Sequence, residues 1–394
     1  MKRKPLNKFA KRRRIALMGI IGVILLIILI ILLTTTKKHK IPEKMSLMLN
    51  NQIVELQKNM YKENDVIYIS KEDIMKLFDD TLYYNAAEKE LITTYNTHIA
   101  LLKVNETFMV LNDSNVELKG SLTEKDDTVY LPLTDLGIVY DLEIEYSQDY
   151  NRTILSSTKE EKKQAISLKK ANVYEKPNSF SKKLEKINMS EYVTVLATSK
   201  KYKKVRTENG NIGYVKEKKI SNEETIREKM EEKALDVNIV KDANDITQKY
   251  DNNILSNEKQ NVVIPSFFLL DKEQKVLDKT NSKSNNFNNY IAWTNENNIQ
   301  VWPTITSTAN VSEELLTYTQ RNKVINNLYQ YLMQYQFQGV NINFEKIDDV
   351  NSFNRFLIEL KPKLKESGLK MCVTYNKSLD SSKIKNIADW FLEE

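Results

Sequence analysis

The sequence holds a single cysteine, Cys372, so no disulfide can form within the chain and no cysteine-ligated structural zinc site can be built. Folded regions must therefore be held by their apolar cores. A sustained excess of one charge is lacking too. The formal net charge is +6, but eight lysines and arginines between Lys2 and Arg14 account for it, and the remainder is close to neutral. Net charge thus gives no reason to expect nucleic acid as a partner. Long apolar runs are absent with one exception. From Ile15 to Leu33 no charged residue occurs, and at about 1.5 Å per residue such a stretch just crosses a hydrocarbon core of roughly 30 Å. A transmembrane helix over residues 15–34 is expected. The far flank carries only Lys37, Lys38 and Lys40 nearby, so the basic segment 1–14 is expected in the cytoplasm and the rest outside, in a single-pass cell-membrane protein. The run exceeds the roughly 7–15 residues of a cleaved signal and ends in Thr34, Thr35 and Thr36. An uncleaved anchor follows, with cleavage as the alternative.

What is present beyond the anchor reads as globular protein: 41% hydrophobic and 28% charged residues, enough chain for two or three domains. An internal repeat comes first. Asp65-Val66-Ile67-Tyr68-Ile69 recurs as Asp127-Thr128-Val129-Tyr130-Leu131, and the same offset pairs Asp73 with Asp135, Asp79 with Asp141, Tyr84 with Tyr146 and Ile92 with Ile154. Each copy reads as a strand, a helical turn and two further strands. Residues 46–157 resemble the copper amine oxidase N-terminal-like domain of exported bacterial proteins. The resemblance implies an α+β unit that binds no copper, expected as a spacer, with ligand binding as the alternative.

A charged linker, Thr158 to Gln164, leads into residues 165–221. There Ala171 to Pro177, Glu191 to Leu196, Tyr202 to Thr207 and Gly213 to Val215 alternate apolar and polar residues between turn signals, the pattern of a small β-barrel. This segment resembles bacterial SH3-like domains. That resemblance implies a wall peptide as partner, with Tyr174, Tyr202 and Tyr214 either lining a groove or forming the barrel's core and rim.

After Ala234 strands and helices alternate. Strand-like runs cover Leu235 to Val240, Asn261 to Leu270, Ile299 to Ser307, Phe337 to Glu345 and Leu369 to Asn376, with Ile387 to Phe391 approaching a sixth. Helical spacing links Val324, Leu328, Tyr331, Leu332 and Tyr335, and again Phe353, Phe356, Leu357, Leu360 and Leu364. Such alternation implies a parallel sheet, most often a (β/α) barrel. In the fourth run Val340, Ile342 and Phe344 point to the covering helices, which turns Asn341, Asn343 and Glu345 inward. Three polar residues on a normally apolar interior, with Glu345 last at the C-terminal mouth, point to a site; a solvated strand end is the alternative.

The run Gln338-Gly339-Val340-Asn341-Ile342-Asn343-Phe344-Glu345 resembles the strand-four signature of glycoside hydrolase family 18, Asp-Gly-x-Asp-x-Asp-x-Glu, in its bacterial spore and cell-wall glucosaminidase branch. Val263 to Phe268 and Val301-Trp302-Pro303 are similar to the neighbouring strands. The resemblance implies cleavage beside an N-acetylglucosamine in peptidoglycan or a chitin-like polymer, with no metal and no cofactor. Glu345 is the implied general acid and the substrate's acetamido oxygen the nucleophile. Asn343 is the second implied catalytic residue; Asn341, Trp302, Phe267 and Tyr375 are implied to contact substrate. Asn343 stands where the family has aspartate and lacks the charge that steadies an oxazolinium ion, a loss of order 10²–10³ in rate. Some 160 residues follow Leu235, against about 250 in a complete eight-stranded barrel. The expected architecture is therefore multidomain: one transmembrane helix, an α+β repeat domain, an SH3-like barrel and an incomplete TIM barrel over residues 234–394 of a truncated product. Two functions fit: a surface glycan hydrolase, or a non-catalytic wall-binding protein of the same modules. The topology is testable, since protease added to intact cells whose wall admits it should digest the chain beyond Lys40; full protection would reverse the orientation.

Overall fold

The computed structural model describes residues 18–27, 40–199, 201–230, 234–307, 315–375 and 387–393. Residues 18–27 form a helix whose large apolar side chains are exposed. Among the described residues no helix is long and apolar enough to cross a membrane, and the remainder of the expected span, 15–17 and 28–34, lies outside them.

The repeat is visible in the backbone. Strand Val66–Ser70 lies antiparallel to its counterpart Thr128–Pro132, with Ile69 opposite Leu131, Tyr68 opposite Pro132 and Ser70 opposite Tyr130. The offset that carries Asp65 to Asp127 exchanges these pairs, so the two copies meet across a local twofold. It also carries the pairing of Tyr83 with Ile92 onto that of Glu145 with Ile154. The repeated aspartates hold the copies to their preceding loops. Asp73 accepts from the backbone N–H of Gln57 and Lys58, and Asp135 from that of Gly120. Asp79 is buried and accepts from the Thr93 hydroxyl and the Thr94 N–H.

Only eight glycines occur in the chain, and tight hairpins are made without them. Asn50-Asn51, Asn64-Asp65, Asn112-Asp113 and Asp126-Asp127 all have positive φ and each joins two adjacent antiparallel strands. Two consecutive left-handed residues match the strands' own twist, and Asn and Asp tolerate that region better than other non-glycine residues. The first strand, Ser46–Leu49, pairs in parallel with the last of the unit, Arg152–Ser157.

A seven-stranded antiparallel sheet follows, with Lys183–Ile187 at one edge and Glu224–Arg227 at the other. Its core is small and β-branched, built on Val173, Val193, Val205, Val215 and Ile187. The stretch read as a linker contributes a strand, Lys162–Ile166. Lys162 is buried because Glu143 and Glu145 of the repeat unit neutralise its ammonium at 2.8 and 3.6 Å.

In the C-terminal region we number the strands β1 (Val237–Ile239), β2 (Gln260–Val263), β3 (Ser266–Leu270), β4 (Val276–Asp278), β5 (Gln300–Val301), β6 (Thr304–Ser307), β7 (Gly339–Ile342), β8 (Lys370–Tyr375) and β9 (Trp390–Glu393). Helices are α1 (Asn285–Glu296), α2 (Tyr318–Gln334) and α3 (Val350–Glu366). All neighbouring strands are parallel except β4, which folds back on β3. Two runs read as continuous strands are each interrupted at a proline, Pro265 between β2 and β3 and Pro303 between β5 and β6, where the ring removes a ladder donor. Val340, Ile342, Met371 and Val373 face the helices and pack with Val324, Leu328, Phe353, Phe356 and Leu360. The other face carries a smaller core of Val262, Ile264, Trp302 and Cys372, with Trp390 and Leu392 against it.

The two covering helices are joined by a buried ion pair. Arg321 of α2 donates from Nε and Nη2 to the two carboxylate oxygens of Glu359 on α3, at 2.7 and 2.8 Å. Arg355 reaches the same carboxylate at 3.1 Å, donates to the Thr81 carbonyl of the repeat unit and lies over the Tyr83 ring. Nearby, Lys363 bonds Asp113 at 2.8 Å; burial opposes ionisation of Asp113, but this bond and the lysine's charge hold its carboxyl below the usual range. Removing Glu359 would strand two guanidiniums. Glu359→Gln should lower the unfolding free energy by about 3–5 kcal/mol in denaturant titrations of the full chain, whereas Lys363→Ala at the rim should change it by no more than about 1 kcal/mol. A Glu359→Gln loss below that of Lys363→Ala would show that the pair does not hold the helices.

Candidate active site

The centre of β7 is polar on one side only. Asn341 is 1% exposed, and both ends of its amide are committed. Its Nδ2 donates to Thr304 Oγ1 at 3.0 Å, and its Oδ1 accepts from Thr374 Oγ1 at 2.9 Å. The Thr304 hydroxyl in turn donates to the Ile264 carbonyl at 2.7 Å. A transverse ladder thus runs from the end of β2 through β6 and β7 to β8. Its direction dictates residue type: having spent its proton on Ile264, Thr304 can only accept, so position 341 must donate. An ionised aspartate there could not.

One layer nearer the strands' N-terminal ends, Gly339 lies under Trp302. A Cβ at Gly339 would come within 2.8 Å of the indole ring and 2.7 Å of the Lys370 carbonyl, so no larger residue fits unless both the ring and the β8 backbone move. Trp302 is fully buried, donates to Gln300 Oε1 at 2.9 Å and contacts the Trp390 ring at 4.9 Å between centroids. Cys372 shares this layer, and burial pushes its thiol up to about 12, which keeps it protonated and unreactive near neutral pH.

Glu345 was expected as the final strand residue, turned inward. The strand instead ends at Ile342; Asn343 keeps one further backbone bond, its N–H to the Ile305 carbonyl at 3.0 Å, and the chain then bends. Glu345 sits at that bend, solvent-exposed, while Asn343 is half-buried. The structure therefore brings Asn341, Asn343 and Glu345 to one strand end but buries only the first. Phe267 belongs to the helix-facing core, against Phe287 and Phe337. Tyr375 shares the strand parity of Met371 and Val373, opposite to Thr374, and meets Phe391 edge-on. Neither joins the Asn341 side. Thr304 and Thr374, which complete the ladder, were not singled out from the sequence; their signal is only a threonine at the same alternation phase as Asn341 on each flanking strand.

The C-terminal region is a partial α/β unit in which β3, β6, β7, β8 and β9 lie side by side in parallel, with the Glu345 carboxylate beyond the C-terminal end of β7. Residues 48–155 match the copper amine oxidase N-terminal domain, and residues 169–221 match the bacterial SH3 domain. Among solved structures the chain is similar to catalytic domain 2 of the Group II chitinase of Ostrinia furnacalis, at 17% identity and a TM-score of 0.33 over 40% of this chain and 50% of that one. It is also similar to a chitinase of Chromobacterium violaceum, at 17% identity and a TM-score of 0.32 over 41% and 55%, and to the Bacillus cereus spore cortex-lytic enzyme SleL, at 20% and 0.30 over 34% of each chain. The chain spans about half the length of these chitinases. No curated protein matches the sequence.

The ladder's direction is testable. Asn341→Asp should destabilise the fold by about 1–3 kcal/mol near neutral pH, because the side chain can donate to Thr304 only while it holds a proton that water would otherwise take. The loss should grow as pH rises from about 4 to 8: the unfolded chain releases a proton near 3.9, and the buried carboxyl retains it. A loss that does not change with pH would mean that position 341 is open to water.

Proposed function

We propose that the chain is a membrane-anchored extracellular glycoside hydrolase acting on an N-acetylglucosamine-containing glycan, peptidoglycan or chitin-like. The observation that carries this reading is Glu345, an accessible carboxylate three residues past the C-terminal end of β7, where sites of β/α barrels are built. In this reading Glu345 protonates the leaving glycosidic oxygen. The acetamido oxygen of the substrate attacks the anomeric carbon, and Asn343 hydrogen-bonds the acetamido group. Asn341 does not reach substrate; its ladder fixes the strand that aims Asn343. Binding must also withdraw Glu345 from water, since a general acid works only while it holds its proton. The apolar exterior of helix 18–27 supports the anchor at residues 15–34, with the N-terminus in the cytoplasm.

A second reading, glycan binding without turnover, is favoured by Asn343, which offers a hydrogen bond but no negative charge. One substitution separates the two. Glu345→Gln should abolish release of reducing ends from peptidoglycan or an N-acetylglucosamine oligomer while leaving glycan binding nearly intact. Equal rates for Glu345→Gln and the parent would remove Glu345 from the chemistry, and glycan binding with no release by either protein would establish the second reading.

A further inference from the structure

The near-neutral charge of the chain beyond residue 14 conceals a strong segregation. Residues 165–221 contain thirteen lysines and one arginine against five glutamates, a net charge of +9 in a chain whose total is +6. Three of those glutamates, Glu185, Glu191 and Glu208, line one hollow facing the repeat unit, beside Asp149. Lys186 lines that hollow too, but the other lysines gather elsewhere. A hollow of about 450 Å³ is walled by Lys170, Lys183, Lys186, Lys216 and Lys219, with Asn172 and Tyr174 at its base and no carboxylate in its lining. A second hollow, about 390 Å³, shares Lys216 and adds Lys201, Lys218 and Tyr202, with Glu217 its one carboxylate. The two meet at Lys216, the last residue of the strand Ile212–Lys216, and together form a basic track. Among the described residues none of these lysines is paired with a carboxylate, although such pairing occurs next door at Lys203 and Glu223.

We propose that this track binds a linear polyanion whose charges are phosphodiesters, such as a polyol phosphate chain of the cell envelope. Like charges concentrated with so few counter-charges raise the local potential and attract an anion of matching extent. Two joined hollows, rather than one, favour a repeating chain over a single phosphate. Lysine rather than arginine suits a polymer whose charges vary in spacing: ammonium groups are mobile point charges, whereas the guanidinium fork holds a carboxylate or phosphate in one fixed bidentate geometry. The domain's one arginine, Arg206, is already bonded to Asn51 and Ser156. The concave shape, with a buried tyrosine at its base, fits a strand laid in a channel better than a flat lipid surface. The inference does not require hydrolysis at Glu345.

The test titrates the full chain with a soluble, lipid-free poly(glycerol phosphate), and separately with phosphatidylglycerol vesicles and an uncharged N-acetylglucosamine oligomer. Binding of the soluble polymer should weaken steeply with salt, as release of condensed counterions requires. The double substitution Lys170→Glu with Lys183→Glu, both at exposed positions, should weaken it at least tenfold and flatten the salt dependence. Lys170→Gln with Lys183→Gln should give a smaller loss, and Lys170→Arg with Lys183→Arg none. Unchanged melting temperatures would tie the losses to the surface, and the Gln pair keeps the test decisive if charge reversal unfolds the domain. Equal affinity in all variants, salt-independent binding, or capture by vesicles with none by the soluble polymer would overturn the proposal.

Discussion

A carboxylate sealed from water has to be neutralised where it stands, and Glu359 sets that requirement between the two helices that cover β7 and β8. It takes two guanidiniums to meet it, and each commits a different element. Arg321 fixes α2 against α3 and, through the Leu315 and Leu316 carbonyls, the chain entering α2. Arg355 extends the arrangement to the repeat unit by way of Thr81. The helices so fixed are those that cover β7 and β8, so the placement of Asn343 and Glu345 rests on an ion pair on the far side of the sheet. Replacing the whole cluster with apolar residues could give similar stability, because desolvation offsets much of the attraction. Its value lies in direction: forked donors admit one relative placement of the helices where an apolar contact would admit several.

Across the sheet the same logic operates without charge. Asn341, Thr304 and Thr374 form a chain in which each donor has one acceptor, so the polar group in the middle of the sheet is satisfied without water. Below it lies a dry layer of Trp302, Trp390 and Cys372, closed by the missing side chain of Gly339. The polar residues of β7 thus divide between support and exposure within a few positions: Asn341 braces the sheet, Asn343 is half-covered, and Glu345 meets solvent.

The sequence made some of this visible and hid the rest for identifiable reasons. The repeat could be read because its offset preserves both residue type and strand register, as in Tyr83 with Ile92 and Glu145 with Ile154. The alternation from Gly339 to Ile342 assigned correct faces because one side packs on helices. Helix α1 escaped notice because asparagines fill its exposed positions and only Phe287, Tyr290 and Thr294 are buried, too sparse a stripe to register as periodic. The strand at Lys162 was obscured by its own charges: Lys162 is neutralised by Glu143 and Glu145 of another domain, and Lys163 by Glu161 just before the strand. The Arg355–Glu359 spacing can be seen locally, but Arg321 enters from 38 residues away, and the Asn341 ladder closes over 33 and 37. Pairings at that distance leave no local pattern.

The parallel pairing of Ser46–Leu49 with Arg152–Ser157 has a mechanical meaning. In a chain tethered at its N-terminal segment and gripping a rigid polymer with later domains, tension enters the repeat unit at Ser46 and leaves it beyond Ser157. The first and last strands are then drawn past one another along their length, so their evenly spaced hydrogen bonds carry the load together. An antiparallel arrangement of the same two strands would open one bond at a time. The repeat unit is thus shaped as a link that resists extension when the chain is pulled from both sides of it.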